Sequence, residues 1–106
     1  MNKTIYNVLI VGAGDIGSGY DNPKSKEILT HAHAFVKHDG FNLIGFVEPN
    51  KGVALNAAKK WSTSTFTTMK EAFSENEIDI VSVAAPDKYH FEILTEIATF
   101  KPKFVL

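Results

Sequence analysis

The chain contains no cysteine and no arginine. Without cysteine there is no disulfide framework, no thiolate nucleophile and no cysteine-based metal site. Without arginine the best bidentate clamp for phosphate or carboxylate is missing, and all 11 basic residues are lysines. An excess of charge of one sign is lacking too. The formal net charge of -1 gives no electrostatic reason to expect a nucleic acid or an acidic membrane as partner. No apolar run approaches the roughly 18 residues that span a bilayer. The opening Met1-Asn-Lys-Thr4 carries no signal-peptide pattern, so the expected compartment is the cytoplasm.

What is present is ordinary for a folded domain: 106 residues, 44% hydrophobic and 22% charged. That length supports one core and leaves little room for a separate substrate region. The stretch Val8-Leu-Ile-Val-Gly-Ala-Gly-Asp-Ile-Gly17 stands out. An apolar run without polar alternation reads as a strand buried on both faces. The Gly-x-Gly-x-x-Gly that follows, at Gly12, Gly14 and Gly17, lets a backbone turn sharply and approach the phosphates of a dinucleotide. The bland alternative is a tight strand-to-helix turn with no ligand.

Strand-like runs fall at 5–11, 41–47, 65–66, 78–84 and 103–106, with helical spacing between them. That alternation predicts a parallel sheet with helices on its faces. Thr30 is placed to cap a helix over 31–38. In 51–61, Val53, Ala54, Ala57, Ala58 and Trp61 form one apolar stripe. Thr68 and Glu71 fit a capping box for a short helix that turns Ala72 and Phe73 inward. Asp87 is the expected N-cap of a last helix, with Ile93, Leu94, Ile97 and Ala98 facing the sheet. Residues 18–29, containing Gly19, Asp21, Asn22 and Pro23, interrupt the helix expected after Gly17 and read as an inserted loop.

A dinucleotide loop requires a carboxylate at the end of the second strand to accept from the adenosine ribose. Glu48 supplies it, or is merely an exposed strand-end carboxylate beside Pro49. It follows Gly17 by 31 positions, where about 20 are usual, and the 18–29 loop accounts for the excess. Its charge would repel a 2′-phosphate that no arginine could neutralise, so NAD is expected ahead of NADP; Lys51 is the residue that opposes this preference. Asp15 is expected to turn its side chain away from the phosphates and its amide toward them. Ala84, Ala85 and Pro86, at the carboxyl edge of the fourth strand, would let a flat ring or ribose lie against the backbone. His90 either faces that crevice or hydrogen-bonds a neighbouring loop. His31 and His33, two apart on a helix, point to different faces, so with His90 they make a poor metal site and none is expected.

Taken together these segments resemble the N-terminal NAD(P)-binding domain of the Gfo/Idh/MocA oxidoreductases, the glucose-fructose oxidoreductase and inositol dehydrogenase group. The resemblance rests on Gly12-Ala-Gly-Asp-Ile-Gly17, His31-Ala-His-Ala-Phe35, Phe46-Val-Glu-Pro-Asn50, Ile78-Asp-Ile-Val-Ser-Val-Ala-Ala-Pro86 and His90. It implies a doubly wound Rossmann sheet of order 3-2-1-4-5 spanning 1–106, as part of a two-domain enzyme whose substrate domain is absent here. The implied cofactor-binding set is Gly12, Ala13, Gly14, Asp15, Ile16, Gly17, Glu48, Ala84, Ala85, Pro86 and His90, with no catalytic residue. Measured against the family, His31 stands 11 positions late, and the same insertion explains the distance to Glu48. Members continue after the fifth strand with Glu-Lys-Pro, and this chain ends at Leu106, before that motif. The resemblance thus implies the cofactor half of a dehydrogenase for a sugar, cyclitol or polyol, inactive alone, with uncovered edges that allow a homo-oligomer. Two other readings remain: a non-catalytic NAD(H)-sensing module, and a methyltransferase, against which the Ala84-Ala-Pro-x-x-x-His90 element weighs.

Overall fold

Val8, Leu9 and Ile10 are each fully buried, because an unbroken apolar run sends side chains to both faces of a strand covered on both sides. That strand, β1 (Tyr6–Val11), is the middle of a five-stranded sheet in a computed structural model that describes residues 5–106. Its neighbours are β2 (Phe41–Val47), β3 (Ser64–Phe66), β4 (Ile80–Val83) and β5 (Phe104–Val105), in the order β3-β2-β1-β4-β5 with every pairing parallel. The parallel sheet is the one the strand spacing predicts, and its doubly wound order is the one the family resemblance implies.

Four helices cover the sheet: α1 (His31–Lys37), α2 (Lys51–Trp61), α3 (Met69–Glu75) and α4 (His90–Phe100). One layer of the core joins Val8, Ile10 and Phe46 to Ala32 and Phe35 of α1 and Ala57 and Trp61 of α2. The other joins Leu9, Val11 and Val81 to Met69 and Ala72 of α3 and Ile97 of α4. Full burial of a side chain such as Phe46 contributes about 1.5–3 kcal/mol. Caps fix where the helices begin: Thr30, Asn50 and Thr68 each accept a hydrogen bond from the backbone N–H three residues on.

Three local expectations are corrected. The reciprocal half of the capping box goes to a different amide, since Glu71 Oε1 accepts from Thr67 N at 3.3 Å and not from Thr68. Asp87 does not cap α4. It opens a single 3₁₀ turn (Asp87–Tyr89) that makes no side-chain cap hydrogen bond, and Tyr89 stands at the N-cap of α4 instead. That turn rotates the helix, so Ile93, Ile97 and Phe100 face the sheet while Leu94 and Ala98 lie outside. The segment after the glycines is also particular: Asp15–Gly19 form one π-helical turn, and α1 starts only at His31.

Candidate functional site

In a parallel sheet whose connections leave β1 in opposite directions, a crevice opens beyond the carboxyl ends of the strands. Here β1 lies between β2 and β4, and the glycine segment emerges from it into that crevice. Each glycine meets a different constraint. Gly12 has φ +102°, and a Cβ there would sit 2.9 Å from the Ala85 amide nitrogen, so the turn against the end of β4 admits no side chain. At Gly17 a Cβ would collide with the Gly12 carbonyl oxygen, so this residue lets the π turn close onto the strand. Gly14 is different: no protein atom lies within 4 Å of its notional Cβ, and it lines the crevice. The space beside Gly14 is therefore free for a ligand to approach the backbone. The amides of Gly14, Asp15, Ile16 and Gly17 precede the first hydrogen bonds of the π turn, which run from Ser18 and Gly19 back to the Gly14 carbonyl. A pyrophosphate fits such donors.

Glu48 also lines the crevice. Its Oε1 accepts from Ala13 N and its Oε2 from Asn50 N, both at 3.0 Å. The carboxylate thus bridges the glycine turn and the start of α2, with lone pairs left for further donors. Between these landmarks runs a groove of about 610 Å³. Gly12, Gly14, Glu48, Ala84, Ala85 and Pro86 all line it.

The remaining expected residues sit around this groove. Ala13 lends its amide to Glu48. Asp15 is exposed, and its Oδ1 lies near Gly19, on the side of the glycine turn away from the groove. Ile16 is 48% exposed and Gly17 is buried in the turn. His90 Nε2 lies 2.6 Å from the Ala85 carbonyl oxygen, so the imidazole holds the loop that carries Ala85 and Pro86. The three histidines take separate partners: His31 Nδ1 lies 2.7 Å from Ser82 Oγ, and His33 Nδ1 lies 2.8 Å from Asp21 Oδ2. Burial holds the His31 pKa below its ordinary value.

Two groups escaped the sequence reading. The first is the rest of the groove lining: Thr67, Thr68 and Met69 before and within α3, Tyr89 at the N-cap of α4, and Glu92, Ile93 and Glu96 on α4. The rule that ligands bind at strand carboxyl ends pointed to the turn after β3, although nothing in its residue types did. The second is the staple of the insertion. Asp21, 5% exposed, accepts from Thr30 Oγ1 at 2.6 Å, from Leu29 N at 2.7 Å and from His33 Nδ1. Desolvation by burial pushes its carboxyl pKa up, but these three donors together outweigh it and hold the pKa below the ordinary value. From α2, Lys60 Nζ donates to the carbonyls of Ser18, Gly19 and Asp21, and Trp61 Nε1 to that of Ser18. The expected loop is therefore tied down at both ends.

Comparison with known proteins agrees with this geometry. No curated protein matches the sequence. Among solved structures, a myo-inositol dehydrogenase from Corynebacterium glutamicum superposes with a TM-score of 0.73 at 18% identity, covering 94% of this chain and 27% of its own. A putative NADPH-dependent oxidoreductase from Desulfitobacterium hafniense gives 0.77 at 16%, covering 96% and 26%. The WlbA dehydrogenase from Bordetella pertussis, solved with NADH and UDP-GlcNAcA, gives 0.71 at 20%, covering 91% and 26%. At these identities the likeness is one of fold, and the chain spans about a quarter of the length of each structure. The family model described as "Oxidoreductase family, NAD-binding Rossmann fold" matches residues 6–106, nearly the whole sequence, and the chain belongs to that family, Gfo/Idh/MocA.

Proposed function

We propose that this chain is the NAD-binding part of an oxidoreductase acting on a hydroxyl of a sugar, cyclitol or other polyol, in the cytoplasm. The observation that carries the cofactor reading is the Glu48 carboxylate fixed 3.0 Å from the Ala13 amide. A carboxylate held there, in the same groove as the open backbone at Gly14, supports the role of ribose acceptor, and among the described residues no lysine or histidine lines the groove. A 2′-phosphate would meet a carboxylate there with no cation to offset it, which favours NAD over NADP. The substrate class is supported by two of the structural neighbours, one named for myo-inositol and one bound to a nucleotide sugar.

When bound, the nicotinamide ring would accept or return a hydride. The residues of this chain bind and orient. Amides from Gly14 to Gly17 would take the pyrophosphate, Glu48 the adenosine ribose, and Ala84 to Pro86, braced by His90, a planar group laid on the backbone. None of them is assigned a proton-transfer step, and the 106 residues alone are expected to bind without turnover.

Calorimetric titration tests this. NAD should bind the chain at least about tenfold more tightly than NADP, a difference of about 1.4 kcal/mol, and Glu48→Ser should narrow the gap. A titration without binding heat for NAD at any temperature tried, or equal affinity for the two cofactors, would overturn the reading. Reduction of NAD by the isolated chain with inositol or glucose would refute the assignment of catalysis to other parts of the enzyme.

A further inference from the structure

A pyrophosphate would bring negative charge to the glycine turn, and little beside the turn offsets it. Asp15–Gly19 form a single π turn and α1 starts only at His31, so the dipole of a full helix is missing there, and among the described residues no lysine or histidine lines the groove. Lys60 stands behind the turn, near the end of α2. The three N–H groups of its ammonium are matched by three acceptors, the carbonyl oxygens of Ser18, Gly19 and Asp21 at 3.1, 3.2 and 3.1 Å. It makes no ion pair among the described residues. Asp15 lines a second groove together with Lys60, but its carboxylate is exposed and water screens it.

Two of the carbonyls that Lys60 holds belong to peptide units whose other end faces the turn. The Ser18 carbonyl shares its peptide with the Gly19 amide, which donates to the Gly14 carbonyl at 3.0 Å. The Gly19 carbonyl shares its peptide with the Tyr20 amide, which donates to the Asp15 carbonyl at 2.9 Å. The Gly14 and Asp15 carbonyls in turn share their peptides with the amides of Asp15 and Ile16, two of the donors left open at the start of the turn. Every link donates in the same sense, from the lysine toward the groove, and hydrogen bonds chained in this way polarise one another. We propose that Lys60 is a positioning residue for the dinucleotide: it replaces the dipole of the helix missing after Gly17, passing its charge through two peptide relays to the Asp15 and Ile16 amides that meet the pyrophosphate. This rests on the dinucleotide reading given above and goes beyond it by assigning the compensating charge to a side chain outside the groove.

Lys60→Met tests the relay, because methionine keeps an unbranched stem and removes both the charge and the donors. NAD is titrated calorimetrically into the full chain and the variant, and adenosine, which lacks the pyrophosphate, is titrated by NMR. The expected result is NAD binding about fivefold weaker in the variant, with adenosine within about twofold of its affinity for the unaltered chain. Weakening of both ligands in equal proportion assigns Lys60 a structural role only and overturns the inference. Unchanged NAD binding overturns it too, and leaves the cofactor reading standing. If the variant does not fold, the unaltered chain decides: the Lys60 ammonium protons, followed by NMR, should shift on addition of NAD and stay in place with adenosine. No shift with NAD, or an equal shift with adenosine, overturns the inference. If NAD does not bind the unaltered chain, both readings fall together.

Discussion

Asp21 is the residue whose removal should cost the fold most for its size. Three donors converge on its carboxylate in a site where Asp21, Thr30 and His33 are 5%, 4% and 1% exposed. In Asp21→Asn one carbonyl oxygen remains for three donors, and an amide N–H group is pushed against the others. Uncoupling one member of a buried, charge-assisted cluster costs about 3–5 kcal/mol. His33 Nε2 has no partner among the described residues, so the bond from Nδ1 to Asp21 is the imidazole's one hydrogen bond and its loss leaves the buried ring without any. For a domain of this size each kcal/mol lowers Tm by about 4–8 °C, so the variant should melt at least about 12 °C below the parent at neutral pH.

A second signature follows from the sign of the shift. The folded carboxyl has a pKa below its ordinary value of 3.8, so in acid the unfolded chain binds more protons than the folded one. The stabilisation is complete above about 3.8 and disappears as pH falls through the folded value. Circular-dichroism melts from neutral pH into acid should show the parent losing this contribution and Asp21→Asn losing less. A variant that melts within about 3 °C of the parent at neutral pH, equivalent to less than about 1 kcal/mol, would refute the cluster's role.

The glycines separate folding from binding. Gly14→Ala meets no protein atom and should leave stability within about 0.5 kcal/mol while weakening NAD in titration, whereas Gly17→Ala, colliding with the Gly12 carbonyl, should lower Tm before any ligand is added. Equal Tm losses in the two variants would contradict this assignment. Burial lowers the His31 pKa from its ordinary 6.5, so its contribution to stability is whole above about 6.5 and declines as pH falls toward the folded value. His31→Gln should remove that slope from a denaturation series, and an unchanged slope would place its source elsewhere. Phe91 is 82% exposed on α4, and Phe91→Ser should shift stability by no more than about 0.5 kcal/mol in a urea titration.

The parallel strands and the starts of α1, α2 and α3 were legible because each rests on local chemistry, whereas the start expected for α4 at Asp87 was not met. The apolar run of β1 and the caps at Thr30 and Thr68 report their own environments, and the parallel alternation leaves few topologies open. The facing of α4 was not legible. Ile93, Leu94, Ile97 and Ala98 make an acceptable stripe on their own, but the 3₁₀ turn at Asp87–Tyr89 sets the helix rotation, and Leu94 finishes 48% exposed. A stripe gives the width of an apolar face and leaves its phase to the residues that launch the helix. The insertion was visible as a break in spacing, yet its order was not. Asp21 meets Thr30 and His33 across 9 and 12 positions, and Lys60 reaches its carbonyl from 39 away, contacts that no periodicity encodes.

Those contacts bear directly on the site. The β2–α2 unit grips the glycine segment twice: Glu48 at the end of β2 holds the Ala13 amide, and Lys60 and Trp61 at the end of α2 hold the carbonyls of Ser18, Gly19 and Asp21. An ordinary helix after Gly17 would stabilise those positions through its own hydrogen bonds. Here one π turn must do so, and it supplies few. Loop ordering on binding reduces affinity, and a turn already held at both ends avoids most of that cost. The insertion therefore replaces the missing helical support with side chains of α2. On the proposed reading Lys60 and Trp61 would support the cofactor site from behind, although neither lines the groove.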